Sequence, residues 1–178
     1  MKDITIHAGH NPCGKIACGA SDYLDESTET RYIVKKLIKM HKGSRIFNCT
    51  VNNGTSQADV LRKIVSKCNK CIRDFDVSIH FNAYTHTVKD GKTMGCEVLL
   101  YDNNSPLVGK AKQICKNMEK LGFKNRGVKY RKDLYFLKNT NRPAMLIEVC
   151  FVDDQDDALL YKKKKDEVVK AIYNGIFK

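Results

Sequence analysis

"AMLIEVCFVDD", Ala144 to Asp154, carries one carboxylate, Glu148, inside an apolar run. Arg142 and Pro143 precede the run and acidic residues follow it, so it reads as a strand buried on both faces. Such a strand belongs inside a largely parallel sheet with helices on either side. A charge there is costly unless it is paired, metal-linked or protonated, so Glu148 needs a partner elsewhere in the chain.

The flanking sequence supplies the rest of that sheet. Asp3–His7 alternates Ile4 and Ile6 with polar residues, Arg45–Val51 is a second strand candidate and "GCEVLLY" a further one. "FDVSIHFNA" puts Val77, Ile79 and Phe81 on one side and Ser78, His80 and Asn82 on the other. Between them, Glu26–Met40 repeats Ile33, Val34, Leu37, Ile38 and Met40 at helical spacing. Ser56 is a candidate N-cap for a helix using Val60, Leu61, Ile64, Val65, Cys68 and Ile72, and Ser105 for one closed by Gly122. Val168 to Phe177 completes a last helix. Strands alternating with helices predict a three-layer α/β fold, a twisted and mostly parallel sheet forming one domain over residues 1–178.

The 178 residues suffice for one sizeable core, and 42% hydrophobic content with three prolines excludes a disordered chain. No apolar segment approaches the ~20 residues of a membrane span. "MKDITIHAGH" enters strand pattern without a signal-peptide core, so synthesis in the cytoplasm is expected, with action elsewhere only after release. Cys68, Cys115 and Cys150 fall on apolar faces, which predicts reduced thiols for the eight cysteines. The formal charge of +12 calls for an anionic partner: nucleic acid, a membrane surface or a wall polyanion.

In parallel sheets the crevice lies at the carboxyl ends of strands, which directs attention to His7–His10, His80–Asn82 and Glu148 onward. His10 and His80 with Glu26, at the start of the first helix, make two imidazoles and a carboxylate, a set suited to catalytic zinc with one open position. Zinc polarises a carbonyl and acidifies water, and Glu148 could shuttle the protons. The bland alternative pairs Glu148 with a Lys or Arg and leaves the histidines as ordinary loop and strand residues. "CNKC" (Cys68–Cys71) sits within a predicted helix rather than opening one, Cys13 and Cys18 flank a loop, and "YKKKKDE" (Tyr161–Glu167) reads as a solvated helix start.

Four blocks resemble the zinc-dependent N-acetylmuramoyl-L-alanine amidases of clostridial phage endolysins and sporulation hydrolases. "HAGHNPCG" is similar to the family's D-P-G-H-G-G opening, and "DESTETR" to the helix start bearing its glutamate ligand. "DVSIHFNA" and "RPAMLIEVCFVDDQDD" match its histidine and catalytic-glutamate blocks, in family order from Ile4 to about Asp157. The resemblance implies one Zn2+ held by His10, Glu26 and His80, with Glu148 as general acid/base, and Asn82 as an orienting residue. His7 stands where the family has Asp, as a supporting group or a competing ligand. Glu29, one turn beyond Glu26, leaves a second glutamate assignment open. The implied reaction is cleavage of peptidoglycan between N-acetylmuramic acid and L-alanine, by a monomer without a wall-binding domain, leading to cell lysis after holin-type or mother-cell release. Wall polyanions would account for the charge without nucleic acid or membrane insertion. The alternative is a basic wall- or nucleic-acid-binding module without catalysis.

Overall fold

The structure, a computed structural model, describes residues 2–178. Its strands are β1 (Ile4–Ala8), β2 (Ile46–Asn48), β3 (Phe75–Asn82), β4 (Cys96–Leu100), β5 (Asn125–Tyr130) and β6 (Ala144–Phe151). Its helices are α1 (Glu26–Met40), α2 (Gln57–Lys70), α3 (Val108–Glu119), α4 (Tyr135–Asn139), α5 (Gln155–Lys163) and α6 (Lys165–Phe177). One sheet holds all six strands in the order β2-β1-β3-β6-β4-β5.

The α/β layering expected from the sequence is present, and β2, β1, β3 and β6 run parallel. β4 is antiparallel to β6, and β5 follows β4 in parallel, so the last two strands are inverted. The cause lies in the connection. A parallel return needs a long crossover, usually helical, whereas the chain from Ala83 to Gly95 forms no helix and re-enters the sheet from the end where β3 left. β1 leads through α1 outward to β2, and β2 leads back through α2 to β3 on the other side of β1. The carboxyl ends of β1 and β3 therefore flank the point where the winding reverses.

Alternation sorts the sheet into two unequal faces. Ile4, Ile6, Val77, Ile79, Val98, Met145 and Ile147 pack with α1, α3 and α6 in the larger core. That packing is tight at Gly175, where a Cβ would stand 2.3 Å from Ile114 Cγ1. The opposite face, with Leu99 and Leu146, is covered by α2 and the short α4, and this smaller cluster leaves part of the sheet open. Ser56 caps α2 as expected, accepting from Asp59 N at 3.1 Å. Asp25 does the same for α1 from Thr28 N at 2.7 Å.

Several boundaries differ from the expectations. β2 is shorter than Arg45–Val51, and Ile72 lies beyond the end of α2 and is exposed. Ser105 is not the cap of α3: its hydroxyl accepts from Leu107 N at 3.3 Å in the preceding turn, and the helix starts at Val108. Tyr161–Glu167 is not one solvated helix start. Tyr161 is fully buried near the end of α5, and the chain breaks at Lys164 before α6. The cysteines are all unpaired thiols, with Cys68, Cys115 and Cys150 buried.

Beneath β3, a buried ion pair anchors the amino-terminal end of the sheet. Arg73 donates to Asp76 through Nε at 2.8 Å and Nη2 at 2.7 Å, while Nη1 reaches Asn141 Oδ1 at 2.7 Å. Asp76 also accepts from the Thr5 hydroxyl of β1, tying two strands to one carboxylate. Removing one member leaves the other charge buried and uncompensated. Asp76→Ala is expected to lose about 3–5 kcal/mol of stability in urea unfolding, against little change for Asp74→Ala at the exposed neighbour.

Candidate active site

The pairing of β3 with its two neighbours assembles the site. His7 is in register with Ser78, and His80 is in register with Glu148, so imidazole and carboxylate stand side by side on the more open face of the sheet. His10 follows in the loop after β1, and Glu26 opens α1 from the other end of that loop. One donor atom from each of His10, Glu26 and His80 lies within 4.8 Å of the others.

Glu26 Oε1 sits between the rings, 3.3 Å from His10 Nε2 and 3.0 Å from His80 Nδ1, and accepts from Phe81 N at 3.1 Å. Its Oε2 accepts from Ala20 N at 3.0 Å. Burial opposes the charge on Glu26, but the two imidazoles outweigh it and hold the carboxyl far below the usual carboxylate range. His80 is pushed down by burial, whereas at His10 the adjoining carboxylate overcomes burial and raises it.

Two glycines make this approach possible. A Cβ on Gly9 would fall 1.9 Å from the His80 ring, and one on Gly19, whose φ is +85°, would fall 2.5 Å from Glu26 Oε2. The loop is then fixed by Arg31, whose Nη2 donates to His10 O at 2.7 Å and Val51 O at 3.0 Å. Asn11 ties it to the β2–α2 loop, donating to Gly54 O at 2.8 Å and accepting from Gly54 N at 3.0 Å.

Two imidazoles and one ionised carboxylate, all partly screened from water, are a donor set for a divalent cation. The residues fit such an ion: their three donor atoms converge, and Glu148, in register with His80, has a buried Oε2 without a hydrogen-bond partner among the described residues. Glu148 lines a cavity of about 280 Å³ together with His80, Asn82 and Glu97. Burial, and then the nearby carboxylates Glu26 and Glu97, push its carboxyl well above the usual range, with Arg131 opposing.

His7 is buried in the same cavity wall, its ring edge-on to Phe136 at 4.7 Å, and it stands outside the three-residue donor cluster. Glu29 lies elsewhere, accepting from Tyr161 Oη at 2.8 Å and pairing with Lys165 at 2.6 Å. The helical turn that leaves it open in sequence carries it onto another face of α1. Asn82 donates to Glu97 Oε1 at 3.2 Å, and Glu97 in turn accepts from Arg126 Nε at 2.8 Å. Glu97, Arg126 and Arg131 join the site only in the folded chain. Glu97 carried the same signal as Glu148, a lone carboxylate in an apolar strand, whereas nothing local marked the two arginines.

The N-acetylmuramoyl-L-alanine amidase family profile matches residues 4–178. The chain belongs to this amidase family. An endolysin of Bacillus phage SPP1 is 34% identical over 187 residues, covering 98% of this chain and 65% of the relative. An uncharacterised Clostridium perfringens protein is 31% identical over 169 residues, covering 93% of this chain and 48% of its own length. The chain thus spans about half to two thirds of these curated relatives. The catalytic domain of the CD27L endolysin, described as targeting Clostridia difficile, superimposes with a TM-score of 0.85 at 26% identity, covering 99% of this chain and 97% of that one. The amidase fold thus extends through the inverted strands β4 and β5 as well as the parallel core.

Calorimetric titration with zinc separates the two glutamates of α1. Glu26→Ala is expected to weaken binding at least about 100-fold, since it removes the charged donor from the cluster, while Glu29→Ala changes it by less than about threefold.

Proposed function

We propose that this chain is the catalytic unit of a peptidoglycan hydrolase that cleaves the amide bond between N-acetylmuramic acid and L-alanine with one zinc ion. The observation that carries the reading is that His80, a member of the His10–Glu26–His80 cluster, lines one cavity with Glu148, its in-register neighbour, which has an unpartnered oxygen there. A wall- or nucleic-acid-binding module has no use for a buried, uncompensated carboxylate at the floor of such a cavity.

In this mechanism His10, Glu26 and His80 hold the ion. When bound, zinc supplies a Lewis acid that polarises the lactyl carbonyl and makes water a stronger acid. Glu148 takes a proton from the attacking water and delivers it to the departing alanine amine. Burial and the neighbouring carboxylates raise its affinity for protons, which suits a group that must hold the water's proton until the amine departs. Asn82, held by Glu97, orients the rim of β3, and Arg126 neutralises Glu97 so that the cavity does not hold a second uncompensated carboxylate beside Glu148. His7 supports the cavity wall against Phe136.

The biological role follows from the same reading: synthesis in the cytoplasm of a host or mother cell, then release onto the wall and lysis. Support comes from the similarity to a phage endolysin. Wall polyanions would concentrate a chain of formal charge +12 at its substrate. No described helix is long and apolar enough to cross a membrane.

Digestion of bacterial walls, scored for new N-terminal alanine against new reducing sugar ends, tests the reaction. The zinc-loaded protein is expected to expose alanine only, and Glu148→Ala to retain zinc while losing roughly 10²- to 10⁴-fold in rate. Reducing ends would identify a glycosidase instead. A pH profile tests the electrostatics. Glu148 must be ionised to accept a proton, so kcat/KM should fall on the acid side; Glu97→Gln removes a negative neighbour, lowers the Glu148 pKa and should move that acid limb to lower pH.

A further inference from the structure

On its β5 side the cavity has a floor and a rim that the reaction itself does not explain. In-register neighbours continue the row that contains the general acid/base: Glu148 pairs with Glu97, and Glu97 pairs with Gly127 of β5. Gly127 has φ +77° beside a bulge and presents no side chain next to Glu97, while the cavity lining itself continues through Glu97 and Leu99 to Arg131. One pleat further along, Leu99 pairs with exposed Lys129, and Arg131 follows on the same face as the ladder ends, its N donating to Leu100 O at 2.8 Å.

Arg131 lines the same cavity as Glu148. Its Nε and Nη2 donate to Asp133 at 2.8 and 2.7 Å, while Nη1 makes no hydrogen bond among the described residues. The Asp133 pair is exposed, and such pairs add little stability, so a second anion can share or displace it. Glu97, the other charge on this side, is already matched by Arg126.

Resting on the amidase reading above, we propose that Arg131 is a specificity-determining residue for the peptide stem, pairing with the free α-carboxylate of the acidic residue that follows L-alanine. The scissile bond divides the substrate unequally. Its acyl side is an acetylated, uncharged sugar, and its amine side is a peptide bearing carboxylates. A cationic rim beside the general acid/base matches the second side only. The stem then runs from Glu148 past Leu99 to Arg131, which lines the same cavity and offers the planar fork that suits a carboxylate.

Two synthetic substrates differing at one group test this: N-acetylmuramoyl-L-alanyl-D-glutamate, linked through its γ-carboxyl and blocked there as the methylamide, with the α-position either a free carboxylate or a carboxamide. The wild type is expected to prefer the carboxylate by about tenfold or more in kcat/KM, the difference lying in KM. Arg131→Met should bring the ratio to about one by raising KM for the carboxylate substrate, and Arg131→Lys should keep part of it. Raising the salt concentration should shrink the wild-type ratio. A wild type that cleaves both substrates equally overturns the assignment, as does an Arg131→Met variant that loses the same factor on each. A wild type that cleaves neither overturns the amidase reading itself, and this inference with it.

Discussion

The position of β3 between β1 and β6 is the constraint on which the site depends. Parallel pairing brings three carboxyl ends to one edge, and the register sets His80 beside Glu148 and Ser78 beside His7. A slip of one residue would send His80 into the apolar layer under α1 and bring Ile79 to the cavity. The Arg73–Asp76 pair and its link to Thr5 hold that register from the opposite end of the strands, far from the chemistry.

Burying Glu26 as an anion is the second demand on the fold. The carboxylate is kept ionised by two imidazoles and two backbone amides, and those partners can reach it only because Gly9 and Gly19 leave no side chain in the way. Glu148 experiences the opposite environment. It is buried without a cation in contact, near two other carboxylates, and so holds a proton more readily. Two glutamates in one site thus take different roles through their surroundings alone.

The two faces of the sheet divide the work. The face toward α1, α3 and α6 is a closed apolar core, whereas α2 and the short α4 cover only part of the other. Incomplete cover leaves the cavity and exposes the polar residues that alternation places there. The inverted pair β4–β5 extends this face sideways, adding Glu97 to the cavity and a basic edge beyond it.

Much of this was legible in the chain itself. Alternation in "FDVSIHFNA" and the isolated carboxylate of "AMLIEVCFVDD" mark strands and single out His80 and Glu148, because a period of two and the cost of a buried charge are local properties. The choice between Glu26 and Glu29 was not local: both lie in the first turns of α1, and only the packed helix turns one toward His10 and the other toward Tyr161 and Lys165. β5 and the short α4 were not legible in this way, since β5 has no buried residue to mark a face and α4 is only five residues long, too short for a helical period. The direction of β4 was equally hidden, since strand polarity depends on which end of the sheet the chain re-enters. Residue pattern alone therefore determined most of the elements and the side chains His10, Glu26, His80 and Glu148. Tertiary structure decided which of them meet, because register, strand direction and the facing of a helix are fixed by contacts between segments distant in sequence.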